Sequence, residues 1–148
     1  MKTDFSTVLQ EIEVLIKKNP SDLHLQLCQL LKEKIYHYDW VGFYLLKDGA
    51  LVLGDYVGKT TDHTQIAIGK GVCGQVAEKK KTIIVQDVSQ EDNYIACSID
   101  VQSEIVVPVL KNGEFIAELD IDSHSPTPFT NEDQVFLENI CSQLAHSF

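Results

Sequence analysis

Two cysteines lie in stretches where a thiol could take part in chemistry. Cys97 stands in "NYIACS", within residues 89–103, which are predicted to be a loop with one helical turn. A thiol in a loop is on average more exposed than one in a strand, and exposure is one condition of reactivity. Cys73 stands in "GKGVCG", a glycine-rich turn before a predicted helix, whose dipole would stabilise a thiolate. The plainer interpretation, a packed and unreactive cysteine, stays open for both.

Acidic residues alternate along "ELDID". Alternation along a strand places Glu118, Asp120 and Asp122 on one face. In a regular hairpin here, residues whose numbers sum to 225 lie opposite each other, which puts Glu104 opposite Ile121 and beside the acids. Such a face is either solvated or lines a pocket for a cationic ligand. In a pocket, desolvation and mutual repulsion would keep one carboxyl protonated and able to donate a hydrogen bond.

The remaining polar residues give weaker signals. No pair among His63, Cys73 and Cys97 has a ligand spacing such as CxxC or HxxxH, so we predict no metal site. A metal held by His63, Cys73, Cys97 and one acid is the less favoured alternative. The stretch "GKGVCG" lacks the GKS or GKT of a phosphate-binding P-loop. Ser123 and His124 have no G-x-S-x-G context, so a serine hydrolase is not indicated.

The elements that must position these residues follow from hydrophobic periodicity. Apolar residues at helical spacing predict an amphipathic helix over residues 4–18 and a second helix after Pro20, with Cys28 on it. Two pairs of β-rich runs, around Asp48–Gly49 and around Asn112–Gly113, predict hairpins.

Shorter elements complete the order. Residues 64–68 and "TIIVQDV" predict strands, and "GKGVCGQVAEKK" predicts a turn into a short helix. A capping signature at Thr130–Asp133 begins a closing helix that carries Cys141. The order α-α-β-β-β-α-β-loop-β-β-α argues for an α+β class with an antiparallel sheet and helices packed on a face. It argues against a doubly wound parallel sheet.

Composition limits the classes of partner. The 148 residues fit one domain, and the formal net charge of −10 argues against a nucleic-acid surface. No apolar run approaches the length of a membrane span, and the N-terminus lacks the apolar stretch of a secretory signal. We therefore expect a cytoplasmic protein, in whose reducing environment the four cysteines do not form a disulfide framework.

The motifs, taken together, resemble those of a known family. In chain order they are "DWVGFYLL", "LVLG", "GKGVCG", "IAC", "SEIVVPV" and "LDIDS". Over roughly residues 38–140 the chain resembles the free methionine-(R)-sulfoxide reductases, small stand-alone GAF-domain proteins. The resemblance implies one GAF domain over residues 1–148, with N-terminal helices in 1–36, sheet and pocket loops in 38–128, and a C-terminal helix in 130–148. The terminal helices would cover one face of the sheet, with a ligand pocket under loops on the other.

The resemblance implies a thiol mechanism on free methionine sulfoxide. Cys97 matches the cysteine that forms a sulfenic acid. The substrate-binding candidates that it implies, to which we add Tyr44, are Trp40, Glu104, Asp120 and Asp122. The acids would hold the substrate's ammonium group, and a protonated acid would bond the sulfoxide oxygen while the thiolate attacks sulfur. A second thiol would condense with the sulfenic acid, and a thioredoxin-like reductant would close the cycle without a cofactor.

The chain departs from the family pattern at the reactive thiols. The family's recycling cysteine lies at the position of His63, and Tyr94 and Ser98 replace a histidine and an aspartate beside Cys97. Cys73 is the remaining candidate for the resolving thiol, and a Cys73–Cys97 disulfide is our hypothesis. Alternatively, His63 would stabilise a thiolate or bind a metal.

Two functions follow from this sequence. The first is reduction of free methionine-(R)-sulfoxide. The alternative is a non-catalytic GAF module that binds a small amino-acid-like or redox ligand, which would need a partner for its output. By analogy with other GAF proteins we expect a homodimer through the terminal helices, and no nucleic acid or membrane as partner.

Overall fold

The computed structural model describes residues 3–91 and 100–148 of the chain. This part contains four α-helices and six β-strands. In chain order they are α1 (Phe5–Lys18), α2 (Leu23–Lys34), β1 (Trp40–Lys47), β2 (Ala50–Val57), β3 (Gln65–Ala67), α3 (Gly71–Lys79), β4 (Ile83–Val85), β5 (Ser103–Lys111), β6 (Glu114–Ser123) and α4 (Asn131–Leu144). The predicted order is confirmed. A single 3-10 turn at Val88–Gln90 precedes residues 92–99, which lie outside the described part and include Tyr94 and Cys97.

The strands form one antiparallel sheet in the order β3-β2-β1-β6-β5-β4. Both predicted hairpin turns are present. The φ angles are 51° and 80° at Asp48 and Gly49, and 54° and 81° at Asn112 and Gly113. Positive φ at both central residues is the type I′ geometry, whose twist matches that of the flanking strands. The turns therefore bring β1 against β2 and β5 against β6.

The β5–β6 ladder contains one bulge. Leu110 pairs with Phe115, but Val109 pairs with Ala117, so Ile116 is an extra residue on β6. An extra residue shifts the pairing by one and reverses which face each following side chain occupies. Phe115 accordingly packs on one face of the sheet and Ala117 on the other.

The bulge corrects the predicted register. Glu104 lies opposite Asp122, not opposite Ile121 as the regular hairpin predicted. Directly opposed residues share a face, so the bulge is what places Glu104 with the acids of β6. The prediction was wrong by one residue because nothing in "GEFIAELDID" marks the extra position.

Helices cover both faces of the sheet unequally. The larger core lies between the sheet and α1, α2 and α4, and it contains Cys28 and Cys141, as their helical positions indicated. Burial of each large apolar side chain there contributes about 1.5–3 kcal/mol. The short helix α3 packs on the opposite face in a smaller cluster with Trp40 and Tyr44. No helix in the described ranges is long and apolar enough to cross a membrane.

Asp133 ties α4 to the chain before β1. It forms the predicted capping box with Thr130, whose backbone N–H donates to its carboxylate at 2.8 Å. The same carboxylate accepts hydrogen bonds from the Tyr38 hydroxyl and from His37 Nε2, each at 2.8 Å. Burial raises the pKa of the Asp133 carboxyl, but these hydrogen bonds outweigh burial and hold the pKa below its ordinary value of 3.8.

We predict that Asp133→Ala lowers the free energy of unfolding at pH 7 by about 2–4 kcal/mol. The Tyr38 hydroxyl would lose its partner, at about 1–3 kcal/mol, and α4 would lose a cap, at about 1 kcal/mol. Since the folded-state pKa of Asp133 is depressed, its contribution is complete above pH 3.8 and is lost as the pH falls below that value. Urea unfolding at pH 7 and pH 3 should show the gap between wild type and variant narrowing in acid.

The matched control is Glu132→Ala, which removes an exposed acid from the same helical turn. Its effect should stay below about 1 kcal/mol. Equal losses for the two variants would contradict the role given to the buried carboxylate.

Candidate functional site

Four carboxylates meet on the sheet face that α3 covers. Glu104 on β5 lies opposite Asp122 on β6, while Asp120 and Glu118 lie opposite Gly42 and Tyr44 on β1. None of the four acidic residues is more than 3% exposed. Within the described residues, the oxygens of Glu118 and of Asp120 have no hydrogen-bond partner outside this cluster of acids and the neighbouring Cys73. Burial of an ionised group without partners is costly, so a solvated outer face is ruled out for this cluster.

Burial shifts the ionisation of these acids upward. The pKa of Glu118 is raised well above its ordinary value by burial first and by the charge of Asp120 second. Burial also raises the pKa of Asp120. Both directions favour the neutral carboxylic acid, which donates a hydrogen bond. The expectation that desolvation and repulsion keep one acid of the cluster protonated agrees with these shifts.

A tight turn before α3 brings Cys73 onto the acids. Gly69 and Gly71 have φ angles of 88° and 62°, and a Cβ on Gly74 would lie 2.6 Å from the backbone oxygen of Ala67. Only glycine fits such close contact, so this turn seats the helix directly on the end of β3. The Cys73 Sγ consequently lies 4.0 Å from a carboxylate oxygen of Glu104.

The surroundings of Cys73 overturn one prediction. The pKa of its thiol is raised well above the ordinary value, by burial first and then by the charges of Asp120, Glu118 and Glu104. The expected stabilisation of a thiolate by the helix dipole is therefore wrong for this site. A helix terminus acts as about half a positive charge, and burial together with the charges of three carboxylates outweighs it.

Aromatic side chains of β1 form a further part of the site. The Trp40 ring lies over Gly42, where a Cβ would come within 2.6 Å of it, and stacks on Tyr56 at 5.3 Å between ring centroids. Its Nε1 donates a hydrogen bond to the backbone oxygen of Lys59 at 3.0 Å. The Tyr44 hydroxyl donates to the backbone oxygen of His63 at 2.8 Å. These two bonds hold the chain between β2 and β3 over the acidic face.

A small cavity of about 10 Å³, roughly the space of one water molecule, lies between these elements. The polar residues that line it are Tyr44, His63, Lys70, Cys73, Glu104 and Asp120. Trp40 and Asp122 lie on the same sheet face but do not line this cavity. The remaining two candidates, Tyr94 and Cys97, lie outside the described residues. Larger grooves on the outer surface, such as the one beside Lys80 and Glu138, are lined by none of the four buried acids.

Sequence reasoning missed two residues that shape the site. Gly42 provides the flat surface under the Trp40 ring, and Lys70 is a lysine at the edge of the cavity. A glycine inside the apolar run "WVGFYLL" was a usable signal, since glycine within a strand marks a close approach. Lys70 carried no such signal, because its position depends on the turn at Gly69 and Gly71.

Comparison with known proteins gives consistent matches. The pattern of the GAF domain family matches residues 22–148. The free methionine-R-sulfoxide reductase of Escherichia coli (strain K12) is 40% identical over 115 residues, which are 78% of this chain and 69% of that protein.

Solved structures extend the match to nearly the whole chain. The type II free methionine-R-sulfoxide reductase from Thermoplasma acidophilum is 41% identical with a TM-score of 0.82, over 91% of this chain and 92% of that one. The free methionine-R-sulfoxide reductase from Neisseria meningitidis, solved in complex with its substrate, is 35% identical with a TM-score of 0.91. That similarity covers 97% of this chain and 87% of the other.

We predict that Glu118→Gln raises the free energy of unfolding at pH 7 by about 1–3 kcal/mol. The upper limit is the free energy of protonating an ordinary glutamate at pH 7, which is about 1.36 kcal/mol for each pH unit above the ordinary pKa. Because the folded-state pKa is raised, wild type loses stability as the pH rises above the ordinary value of 4.5, and the advantage of the variant disappears below it. Denaturant titrations between pH 4 and pH 8 measure this.

Glu114→Gln is the matched control, because Glu114 is exposed on the same strand. It should change stability by less than about 0.5 kcal/mol. If Glu118→Gln lowered the free energy of unfolding, or changed it equally at every pH, burial of the Glu118 carboxyl would carry no cost in stability.

Proposed function

This chain belongs to the GAF-domain family, and because several of its relatives are free methionine-R-sulfoxide reductases, we propose that it reduces free methionine-R-sulfoxide to methionine. The observation that carries the proposal is the set of buried acids around a small cavity. A free amino acid has an ammonium group, which a residue within a peptide lacks. An acidic cavity of this kind therefore selects the free form.

We assign the substrate's ammonium to Glu104, Asp120 and Asp122. Its arrival would give buried carboxylates a positive partner and charge-assisted hydrogen bonds, which are stronger than neutral ones. Lys70, at the cavity edge, is assigned to the substrate's α-carboxylate. Trp40 and Tyr44 would limit the volume left for the side chain.

The chemical step is assigned to Cys97 on the strength of its family match. Its thiolate attacks the sulfoxide sulfur, and a carboxyl of the acid cluster that is protonated donates its proton to the sulfoxide oxygen. The sulfur–oxygen bond breaks, methionine leaves, and the oxygen remains on Cys97 as a sulfenic acid. The sulfoxide is reduced by two electrons and the thiol is oxidised by two.

Cys73 is the proposed resolving thiol. It borders the cavity, whereas Cys28 and Cys141 lie in the core on the other side of the sheet. Because its pKa is raised, its attack on the sulfenic acid needs a base, and the Glu104 carboxylate at 4.0 Å from Sγ is placed to take the proton. Water leaves, and a Cys73–Cys97 disulfide results.

A thioredoxin-like protein is the proposed reductant of that disulfide by thiol–disulfide exchange. His63 lines the cavity at the family's recycling position, so no thiol is available there. Recycling through Cys73 alone would be sufficient for this exchange. We also propose a homodimer through α1 and α2, where the apolar side chain of Val14 is 54% exposed.

We predict that Cys97→Ser abolishes methionine formation from free methionine-R-sulfoxide with either dithiothreitol or thioredoxin. Cys73→Ser should lower turnover with thioredoxin far more than with dithiothreitol, because a small dithiol can reduce a sulfenic acid directly. Methionine is quantified by chromatography, and Cys141→Ser is the control for loss of a thiol outside the site. Ligand binding without turnover in wild type would instead favour the non-catalytic GAF module.

We predict that Asp120→Asn raises the KM for free methionine-R-sulfoxide by about 10–100-fold, since a charged hydrogen bond contributes about 1.5–3 kcal/mol. Glu114→Gln, on the same strand but exposed, should leave KM unchanged. The N-acetylated sulfoxide, which lacks the ammonium, should be a poor substrate for all three proteins. An unchanged KM in Asp120→Asn would remove the acid cluster from substrate binding.

A further inference from the structure

Three different elements bring one thiol and two carboxylates to a common point. Cys73 lies on α3, Glu104 on β5 and Asp120 on β6, and one ligand atom from each lies within 4.8 Å of the others. All three side chains are buried. Their separations in sequence follow no metal-binding spacing, so the sequence predicts no metal site here.

Packing alone does not account for this group. Asp120 is 0% exposed and lines the cavity, and among the described residues its oxygens have no hydrogen-bond partner outside the group of Cys73 and Glu104. A buried carboxylate aimed into a cavity calls for a cation. An ammonium group would bond the oxygens, but it would gain nothing from the sulfur 4.0 Å from Glu104.

We propose that Cys73, Glu104 and Asp120 form a binding site for a thiolate-accepting divalent cation, of which Zn²⁺ is the best match. Zn²⁺ accepts sulfur at about 2.3 Å and carboxylate oxygen at about 2.0–2.2 Å in tetrahedral geometry. Ligand atoms in such a site lie roughly 3.4–3.6 Å apart. The 4.0 Å separation of Cys73 Sγ and Glu104 Oε2 would shrink by a few tenths of an ångström, and the separations that involve Asp120, all within 4.8 Å, by at most about 1.4 Å.

The three protein ligands leave one coordination position, which faces the cavity. Zn²⁺ accepts both water and imidazole as ligands. The fourth ligand would be a water molecule or the imidazole of His63, which lines the same cavity. On binding, the Cys73 thiol releases its proton to solvent and a zinc–sulfur bond forms. Neither the metal nor the protein changes oxidation state.

The consequence of this metal site is competition between Zn²⁺ and the substrate. This step rests on the proposed function, because Glu104 and Asp120 are the carboxylates assigned to the substrate's ammonium. Zn²⁺ at these acids would exclude free methionine-R-sulfoxide, and the substrate would in turn weaken Zn²⁺ binding. Zinc would also hold Cys73 as a metal thiolate and keep it from resolving a sulfenic acid.

The test titrates the reduced full-length protein with Zn²⁺ in competition with a chromophoric chelator. We expect one equivalent to bind with micromolar or tighter affinity. Cys73→Ser and Asp120→Asn should each weaken binding by at least about tenfold. Cys141→Ser and Glu114→Gln, which change a thiol and an acid outside the site, should leave the affinity unchanged. Circular dichroism checks that each variant is folded.

Co²⁺ gives a second measurement that does not depend on a variant folding. Wild type and Cys97→Ser should both show the thiolate-to-cobalt charge-transfer absorption in the near ultraviolet, and Cys73→Ser should lack it. Absence of this absorption in wild type would overturn the proposal. So would Zn²⁺ binding that survives Cys73→Ser or is lost in Cys97→Ser, because the metal would then lie elsewhere.

A competition experiment distinguishes failure of the metal site from failure of the proposed function. Free methionine-R-sulfoxide should raise the apparent Kd for Zn²⁺ in proportion to its concentration. If the Cys73-dependent metal site is present but the sulfoxide does not compete, the metal site stands and the substrate assignment fails. If turnover is normal but Zn²⁺ does not bind, the substrate assignment stands and the metal site fails.

Discussion

The burial of carboxyl groups without hydrogen-bond partners is the constraint on which the rest of this structure depends. Glu118 and Asp120 lie at the centre of the sheet and, within the described residues, lack such partners outside the cluster that they form with Glu104 and Cys73. A fold can tolerate this only if other contacts offset it, and the apolar core between the sheet and α1, α2 and α4 is the source. The two faces of the sheet therefore differ: one buries the apolar core that stabilises the protein, and the other buries carboxyl groups at a cost in stability. The proposed function assigns these carboxyl groups to a cationic ligand.

A single residue separates this arrangement from an ordinary sheet. Without the bulge at Ile116, the acids of β6 would point into the apolar core, and Leu119 and Ile121 would line the cavity. One extra residue between the type I′ turn and the acids leaves the turn unchanged and directs the acids to the cavity. The bulge is thus a functional element as much as a feature of the ladder.

The sequence predicts what is local and fails where the fold brings distant groups together. Turn residues, helix caps and apolar periodicity depend on neighbours in the chain, which is why the hairpins at Asp48–Gly49 and Asn112–Gly113 and the capping box at Thr130 were predictable. The register of Glu104 and the ionisation of Cys73 depend on an unmarked bulge and on charges from two other strands. Trp40 was identified as a candidate only through the resemblance to a family, because no local sequence pattern predicts that its ring lies over Gly42.

The same charges link occupancy of the pocket to the reactivity of the thiol. Three carboxylates raise the pKa of Cys73 in addition to burial. A cation placed among them, whether an ammonium group or a metal ion, cancels their field at the sulfur and lowers that pKa. Without a cation the thiol stays protonated, and a protonated, buried thiol reacts slowly with oxidants. In the proposed function the acids would thus serve two purposes with one set of charges: they would bind the ligand, and they would keep Cys73 unreactive until the ligand is bound.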